Sequence, residues 1–305
     1  MYYFIINLGA RSGRSIESWK RIKYELESYN IEFRAIYTKY AGHASELAAQ
    51  LTSDDVVKTV IVIGGDGTLN EVISGMKRFD TITLGYIPNG SSNDFGRAMK
   101  SKADPLKAIQ TIIEPREIKQ LDIGLLKRAD TTRKFLVSCG FGFDGAVCHE
   151  VAVSPIKKIL NFLHLGRLVY IIIGIKQLFT LRTTSVTIHL DGGSEHTYDR
   201  TLLAAIHNVP YEGGGVKFCP DAIPDDQALD VCIVQCSNPF YGLLLIPFAM
   251  LGMHRHFPGV HLLRGKEISI KAETALPVHV DGEPVGEDME LHISCLANEL
   301  YVITK

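Results

Sequence analysis

Thr59-Val60-Ile61-Val62-Ile63-Gly64-Gly65-Asp66-Gly67-Thr68-Leu69-Asn70-Glu71-Val72-Ile73 joins an apolar, β-branched run to a glycine-rich turn and then to a second apolar segment. The first run suits a buried strand and the last a helix, so the turn lies at a strand's carboxyl end. Three glycines within four residues let the backbone bend sharply and approach a ligand closely, with main-chain N–H groups aimed at phosphate oxygens. Asp66, in their midst, would repel bound phosphate unless a cation lay between them. Its presence therefore implies a Mg²⁺-nucleotide complex, and the loop suggests phosphoryl transfer. The alternative is a tight strand-to-helix turn without chemistry. Against it stand Asp66, Thr68 and Asn70, whose side chains can engage a metal, a phosphate and a helix start. Neither a Gly-Lys-Ser/Thr sequence nor the spacing of a dinucleotide fingerprint is present, so the phosphate cradle is of another type.

Working outward, strand and helix signals alternate through the first 125 residues. Tyr3 to Asn7 reads as a strand. Ile16, Trp19, Ile22, Leu26 and Tyr29 then recur at helical spacing, with Ser15 as cap. Ile31 to Thr38 reads as a strand, His43 to Leu51 as a helix, Asn70 to Met76 as a helix and Thr83 to Ile87 as a strand. This β-α-β order predicts a parallel sheet whose strand ends line one crevice, with Asn7, Thr38, Gly64 and Pro88 on that edge. A second polar loop, Pro88-Asn89-Gly90-Ser91-Ser92-Asn93-Asp94-Phe95, precedes a helix expected near Asp94; an N-capped helix start is its alternative reading. Asn7-Leu8-Gly9-Ala10-Arg11-Ser12-Gly13 adds a third polar loop. From about Arg133 the texture becomes strand-rich: Lys134 to Ser138, Ser185 to Leu190, Leu202 to Asn208, Leu229 to Gln235 and Glu267 to Ala272.

The 305 residues, 46% hydrophobic and 22% charged, have the make-up of a globular protein long enough for two domains. A net charge of −2 argues against a general nucleic-acid binder. Six cysteines without a Cys-x-x-Cys pair argue for core thiols rather than a disulfide framework, and the start Met1-Tyr2-Tyr3 lacks a signal peptide's basic region. A reduced, cytoplasmic location is expected.

Gly64 to Asn70 with Glu71, followed by Gly90 to Phe95, resembles the diacylglycerol kinase catalytic family, bacterial soluble lipid kinase type, related to sphingosine and ceramide kinases. Later matches extend along nearly the whole chain: Gly213-Gly214-Gly215, Cys219-Pro220-Asp221-Ala222, Asp225-Asp226 and Asp281-Gly282-Glu283-Pro284. Departures are Gly90-Ser91-Ser92 for the usual Gly-Thr-Ala, Asn7-Leu8 for Asn-Pro, and Gln227 where Gly is common. The resemblance implies an N-terminal Rossmann-like α/β nucleotide-binding domain over 1–124, to which a final strand at about 296–305 returns. A C-terminal β-sandwich-like domain over 125–295 would bind lipid substrate and metal. ATP would contact Asn7, Ser12, Gly13, Thr38, the backbone of Gly64, Gly65, Asp66, Gly67, Thr68, Leu69 and Asn70, and Ser91. The resemblance also implies Mg²⁺ at Asp226 with backbone oxygens near Ile223 and Ala228; from the residues alone, Asp225-Asp226 reads rather as an acidic turn, so the metal site rests on the resemblance. Glu283 is the implied general base, with Asp66 as the other catalytic carboxylate, and Val278 to Pro284 reads as a strand entering an Asp-Gly turn.

Two basic stretches complete the reading. Residues 151–190 hold Lys157, Lys158, Arg167, Lys176 and Arg182 without an acidic residue, and 231–266 hold three basic residues and none acidic. Ile156, Ile159, Leu160, Leu163 and Leu168 could form an apolar face beside those cations, suited to anionic headgroups, or the buried side of a core helix. Peripheral membrane contact without a spanning helix is expected, and a homodimer is left open. His254, His256 and His261 read as a polar surface or satisfied loop rather than a metal site. Three functions follow: an ATP-dependent lipid kinase acting on diacylglycerol or a related lipid, a kinase of a soluble substrate such as NAD, and a silent lipid-binding regulator.

Overall fold

Continuous apolar strands demand cover on both faces, and the first half of the chain supplies it by alternating strand with helix. The structure, a computed structural model, describes residues 1–9, 14–128, 131–154, 166–236 and 238–305. The chain divides into two compact units, Met1–Asp122 with Asn298–Lys305, and Ile123–Ala297.

In the first unit, β1 (Tyr2–Ile6), α1 (Arg14–Ser28), β2 (Phe33–Tyr37), α2 (His43–Leu51), β3 (Lys58–Gly64), α3 (Asp66–Gly75), β4 (Ile82–Pro88), α4 (Asp94–Ala98) and α5 (Pro105–Ile113) follow in order. The strands lie parallel in the order β2-β1-β3-β4. Next to β4, also in parallel, lies the end of the long last strand, pairing Tyr301 with Thr83 and Val302 with Leu84. Phe4, Ile6, Ile61 and Ile63 face one way, against Trp19, Ile22 and Leu26 of α1 and Ile109 and Ile112 of α5. On the helix, Ile16 falls outside that buried stripe, and Tyr29, expected on the same face, lies just past the helix end; both are exposed.

Two local expectations need correction. Helix α3 begins at Asp66, four residues before the expected start at Asn70, because Gly65 serves as N-cap in an extended conformation. Asp66, Gly67 and Thr68 therefore belong to the first helical turn. Ser15 is no cap: it lies within α1, buried, with its hydroxyl accepting from Asn89 Nδ2 at 3.0 Å.

The second unit is antiparallel. Its elements are β5 (Ile118–Arg128, which enters from the first unit), β6 (Thr131–Phe135), β7 (Ser138–Gly142), α6 (Phe143–Val153), α7 (Gly166–Thr180), β8 (Thr184–Leu190), β9 (Glu195–His207), β10 (Leu229–Gln235), α8 (Pro239–Leu251), β11 (Val260–Gly265), β12 (Glu267–Val280) and β13 (Glu283–Ile303). The order β11-β10-β9-β7-β12-β13 forms its sheet, and β8 pairs with both β9 and β12. Along β9 and β10 the side chains alternate between two cores. Ala204, Ile206, Val231 and Ile233 join one cluster, while Leu203, Ala205, Cys232 and Val234 join another under α8. This period of two gives the sheet two apolar faces, as a sandwich requires.

The strand expected over Lys134 to Ser138 is in fact interrupted. β6 stops at Phe135 and β7 starts at Ser138, because the N–H groups of Leu136, Val137 and Ser138 all donate to the Asp281 carboxylate, at 2.9 to 3.0 Å. The cysteines are free thiols, five of them buried. His254 is buried with its Nε2 3.0 Å from the Phe218 carbonyl, while its Nδ1 has no hydrogen-bond partner among the described residues, and His261 Nε2 lies 2.9 Å from Gln235 Oε1. The apolar and basic positions 156 to 163 lie outside the described residues, as do Ser12 and Gly13. Among the described residues no helix is long and apolar enough to cross a membrane.

Candidate active site

In open parallel sheets, ligands bind beyond the carboxyl ends of the strands, where the strand order reverses. Here that reversal falls between β1 and β3. Asn7 follows β1 and Gly65 follows β3. The two ends are tied: Asn7 N–H donates to the Ile63 carbonyl at 3.0 Å, and Asn7 Nδ2 donates to Thr68 Oγ1 at 2.9 Å. Asn7 Oδ1 accepts from Gly9 N–H, closing a small turn. Thr38 continues the same edge by donating its N–H to Ile6.

The second polar loop sits directly on the first. Asn89 N–H donates to the Gly64 carbonyl at 2.7 Å. Gly65 and Gly90 meet backbone to backbone, since a β-carbon on Gly65 would lie 2.9 Å from Gly90 Cα. Asn93, in the left-handed region at φ 53°, caps the turn by accepting from Gly90 N–H and donating to the Gly90 carbonyl. Asp66 then clasps the two loops: Asp94 N–H donates to its Oδ2 at 3.0 Å and Phe95 N–H to its Oδ1 at 3.3 Å. Burial raises the Asp66 carboxyl above its ordinary range, and the N–H donors offset only part of that. Glu71 accepts from Ala44 N–H at the start of α2, where Gly42 offers no side-chain cap. Thr68 and Leu69 are buried, and Ser91 is exposed. Thus Asn7, Thr38, Gly64 to Asn70 and Ser91 share one edge, with the side chains of Asn7, Asp66 and Thr68 already used to build it.

Glu283 lies in the other unit, at the start of β13. Val280 pairs with Glu283 across Asp281 and Gly282, whose φ values of 46° and 82° define the two-residue turn that the Asp-Gly sequence favours. The turn is held at both residues. Asp281 carries the three N–H donors of residues 136 to 138, and Gly282 N–H donates to His279 Nδ1 at 3.1 Å. Glu283 itself is exposed.

Behind that turn lies a buried polar group that the sequence reading passed over. His279 Nε2 is 3.0 Å from Glu212 Oε1 and 3.5 Å from Asp144 Oδ2, and His207 Nε2 is 3.2 Å from Glu212 Oε2. All four side chains are buried. Because Nδ1 of His279 accepts from a backbone N–H, its ring proton sits on Nε2, toward the carboxylates. Burial alone would raise the Glu212 carboxyl; the His279 and His207 imidazoles outweigh it and hold that carboxyl well below its ordinary value. Gly140 of β7 leaves the space, since any β-carbon there would overlap Asp144 and His279. The available signals were a glycine opposite two polar residues and a histidine inside an apolar strand; neither points to a partner without the fold. These groups could hold a cation by residue type, but a metal-ligating imidazole normally donates its other N–H, whereas here that nitrogen accepts.

Asp226 is placed in the second unit between exposed Ile223 and buried Ala228. Its Oδ2 pairs with Arg264, while its Oδ1 is buried without a hydrogen-bond partner among the described residues. An orphaned carboxylate oxygen fits a hard cation such as Mg²⁺. Gln227 stands at φ 65°, which explains why glycine suits that position.

Residues 1–126 match the diacylglycerol kinase catalytic domain, and residues 139–304 match the YegS C-terminal NAD kinase beta sandwich-like domain. The chain is 31% identical over 293 residues to "Putative lipid kinase YtlR" of Bacillus subtilis, covering 93% of this chain and 94% of that protein. It is 31% identical over 264 residues to a diacylglycerol kinase of Staphylococcus carnosus, covering 86% and 82%. A diacylglycerol kinase structure from Bacillus anthracis aligns with TM-score 0.72 at 21% identity over 100% of this chain and 96% of that one. An Archaeoglobus fulgidus NAD kinase solved in complex with ATP aligns at TM-score 0.53 and 14% identity, over 99% and 93%, which speaks to fold alone. By its two domain matches and these relatives, the chain belongs to the diacylglycerol kinase family of lipid kinases, with a catalytic domain followed by a YegS-type β-sandwich domain.

Proposed function

We propose that the chain transfers the γ-phosphoryl group of ATP to a hydroxyl of diacylglycerol or a related lipid, releasing ADP and a lipid phosphate monoester. The observation that carries this reading is the clasp of Gly64–Asn70 onto Gly90–Phe95 at the strand reversal, in the stretch matched to the diacylglycerol kinase catalytic domain. Asn7, Thr38, the Gly64–Asn70 backbone and Ser91 hold the nucleotide; Ser12 and Gly13 remain assigned by resemblance. Gly65 has no side chain to cap α3, so the first-turn N–H groups of that helix suit phosphate. The ATP in the Archaeoglobus NAD kinase structure supports the same nucleotide for this fold.

Asp226, with backbone oxygens of Ile223 and Ala228, would hold Mg²⁺ within the second unit, whereas the Mg²⁺ that accompanies ATP would supply neutralisation of phosphate charge. Glu283 accepts the proton of the acceptor hydroxyl as its oxygen attacks phosphorus and the bond to ADP breaks. The commitment of both Asp66 oxygens to backbone donors favours Glu283 over Asp66 as the base, and its exposure on a pinned turn suits that role.

The test is transfer from labelled ATP to lipid and soluble acceptors in the presence of Mg²⁺. Diacylglycerol-type lipids are expected to be labelled, and Glu283→Gln to lower kcat by about 10²- to 10⁴-fold with nucleotide affinity unchanged. Labelled NAD without labelled lipid would replace this reading with a soluble-substrate kinase. No transfer to any acceptor would replace it with a silent lipid-binding regulator.

A further inference from the structure

Helix α8 is apolar on both sides. Gly242, Leu245 and Ala249 are buried, on one side of the helix and at helical spacing. Phe240, Leu243, Leu244, Pro247, Met250 and Leu251 recur on the opposite side and are exposed, Phe240 to 69% and Leu251 to 65%. No charged residue stands between Cys236 and His254. A helix apolar all round is ordinarily covered on both sides. Here the outer side faces solvent.

Helix α7 extends the same surface. Ile171, Ile172, Ile175 and Phe179 lie on one stripe of that helix and are exposed, while Val169, Ile173 and Leu178 are buried. The Phe179 ring packs edge-on against Phe240, with centroids 5.5 Å apart, so the two stripes are continuous. A cavity of ≈ 370 Å³ opens beside this junction, lined by Leu178, Phe179, Leu181, Leu202 and Pro239, with Arg182 among its walls. A patch of this size and make-up marks an interaction site rather than scattered surface residues.

We propose that the outward faces of α7 and α8 form a docking surface for an anionic lipid bilayer. Charge selects this occupant. The segments carrying the two helices, 151–190 and 231–266, contain basic residues and no acidic ones. Lys176 is engaged by Glu150 and Arg255 by Asp221, but exposed Arg182 lies at the end of α7 beside Phe179. Apolar side chains flanked by cations match an interface of acyl chains beneath anionic headgroups. The large aliphatic and aromatic tips are those that partition into that layer. The binding stands on this surface alone; its use in delivering an acceptor rests on the lipid-kinase reading above.

The full chain is tested by co-sedimentation with phosphatidylglycerol–phosphatidylcholine vesicles against phosphatidylcholine alone. Binding is expected to favour the anionic vesicles and to weaken with salt. Each exposed side chain withdrawn from water contributes about tenfold, so Phe240→Glu with Leu244→Glu and Leu251→Glu is expected to lower partitioning by about 100-fold or more. Arg182→Gln is expected to lower it by about fivefold on anionic vesicles only. Leu244→Trp, in a chain whose single native tryptophan is buried Trp19, supplies a second readout that needs no loss of folding: its emission should shift to the blue with vesicles. Equal vesicle binding by wild type and the triple variant, or no blue shift, overturns the proposal. So does a wild-type dimer that the triple variant converts to monomer without any vesicle binding. Vesicle binding without lipid phosphorylation leaves the docking surface standing and removes only the catalytic reading.

Discussion

The strand-end loops of the first unit and the buried polar cluster of the second use the same kinds of residue for opposite ends. At the strand ends, Asn7, Asp66, Thr68 and Asn93 spend their side chains on nearby backbone and on one another, which leaves main-chain N–H groups available to a ligand. In the second unit, Asp144, His207, Glu212 and His279 turn entirely inward and are read by no solvent. The first arrangement is built from short loops that any change of side chain only loosens. The second is built from charge without water, where each member depends on the others.

The sharpest way to break that comparison is Glu212→Gln. Removing one partner from a buried ion pair strands the other, so a loss of about 3–5 kcal/mol at neutral pH is expected in urea unfolding. Its pH dependence has a fixed sign. The Glu212 carboxyl, facing His279, His207 and, through His279, Asp144, is held below its unfolded value. Its contribution is therefore fully present above the unfolded carboxyl pKa of about 4.3 and is lost as pH falls below it. The difference between wild type and variant should shrink on acidification below about pH 4; a difference independent of pH would show that Glu212 stabilises by packing alone. Asp281→Ala should cost about 2–3 kcal/mol, because it orphans the three N–H donors of Leu136, Val137 and Ser138. Amide exchange at those three positions checks it directly, and unchanged protection would sink the pinned-turn account.

This contrast also explains what could be read beforehand. The parallel sheet was legible because Ile61 and Ile63 on one face and α1 at Trp19, Ile22 and Leu26 repeat with different periods within one short window. The edge loops were legible because glycine, asparagine and aspartate report backbone geometry locally, as at Asp281-Gly282. Helix α3 was begun too late because Gly67 argues against helix by propensity, whereas the Gly65–Gly90 contact sets its start. The cluster at Glu212 and His279 was hidden because its members come from three distant stretches, at 144, 207–212 and 279, and no local rule brings residue 144 to residue 279. Exposed Leu244 and Leu251 were equally hidden: an apolar helix looks the same in sequence whether its second face is covered or bare.

Thr68→Val keeps the shape of the side chain but removes the acceptor of Asn7 Nδ2. Since Asn7 is only half-buried and can turn to water, about 1 kcal/mol is expected from urea unfolding, a third or less of the Glu212→Gln loss. A loss equal to that of Glu212→Gln would erase the distinction between the two regions.

Gln227→Gly should act in the other direction and least of all. Gln227 sits at φ 65°, a conformation costing a side-chain-bearing residue about 1–2 kcal/mol. Glycine relieves that cost but adds about 0.5–1 kcal/mol of chain entropy to the unfolded state. A net gain of about 0.5 kcal/mol is expected, seen as a small rise in Tm. Because the substitution leaves the Asp226 carboxylate and its Arg264 partner untouched, the proposed lipid-kinase activity and the Mg²⁺ dependence expected of it should not change with it. A rise in apparent Mg²⁺ affinity would mean instead that the strained turn holds the Asp226 backbone away from the Mg²⁺ proposed to bind there, joining stability and ligation at a single dihedral angle.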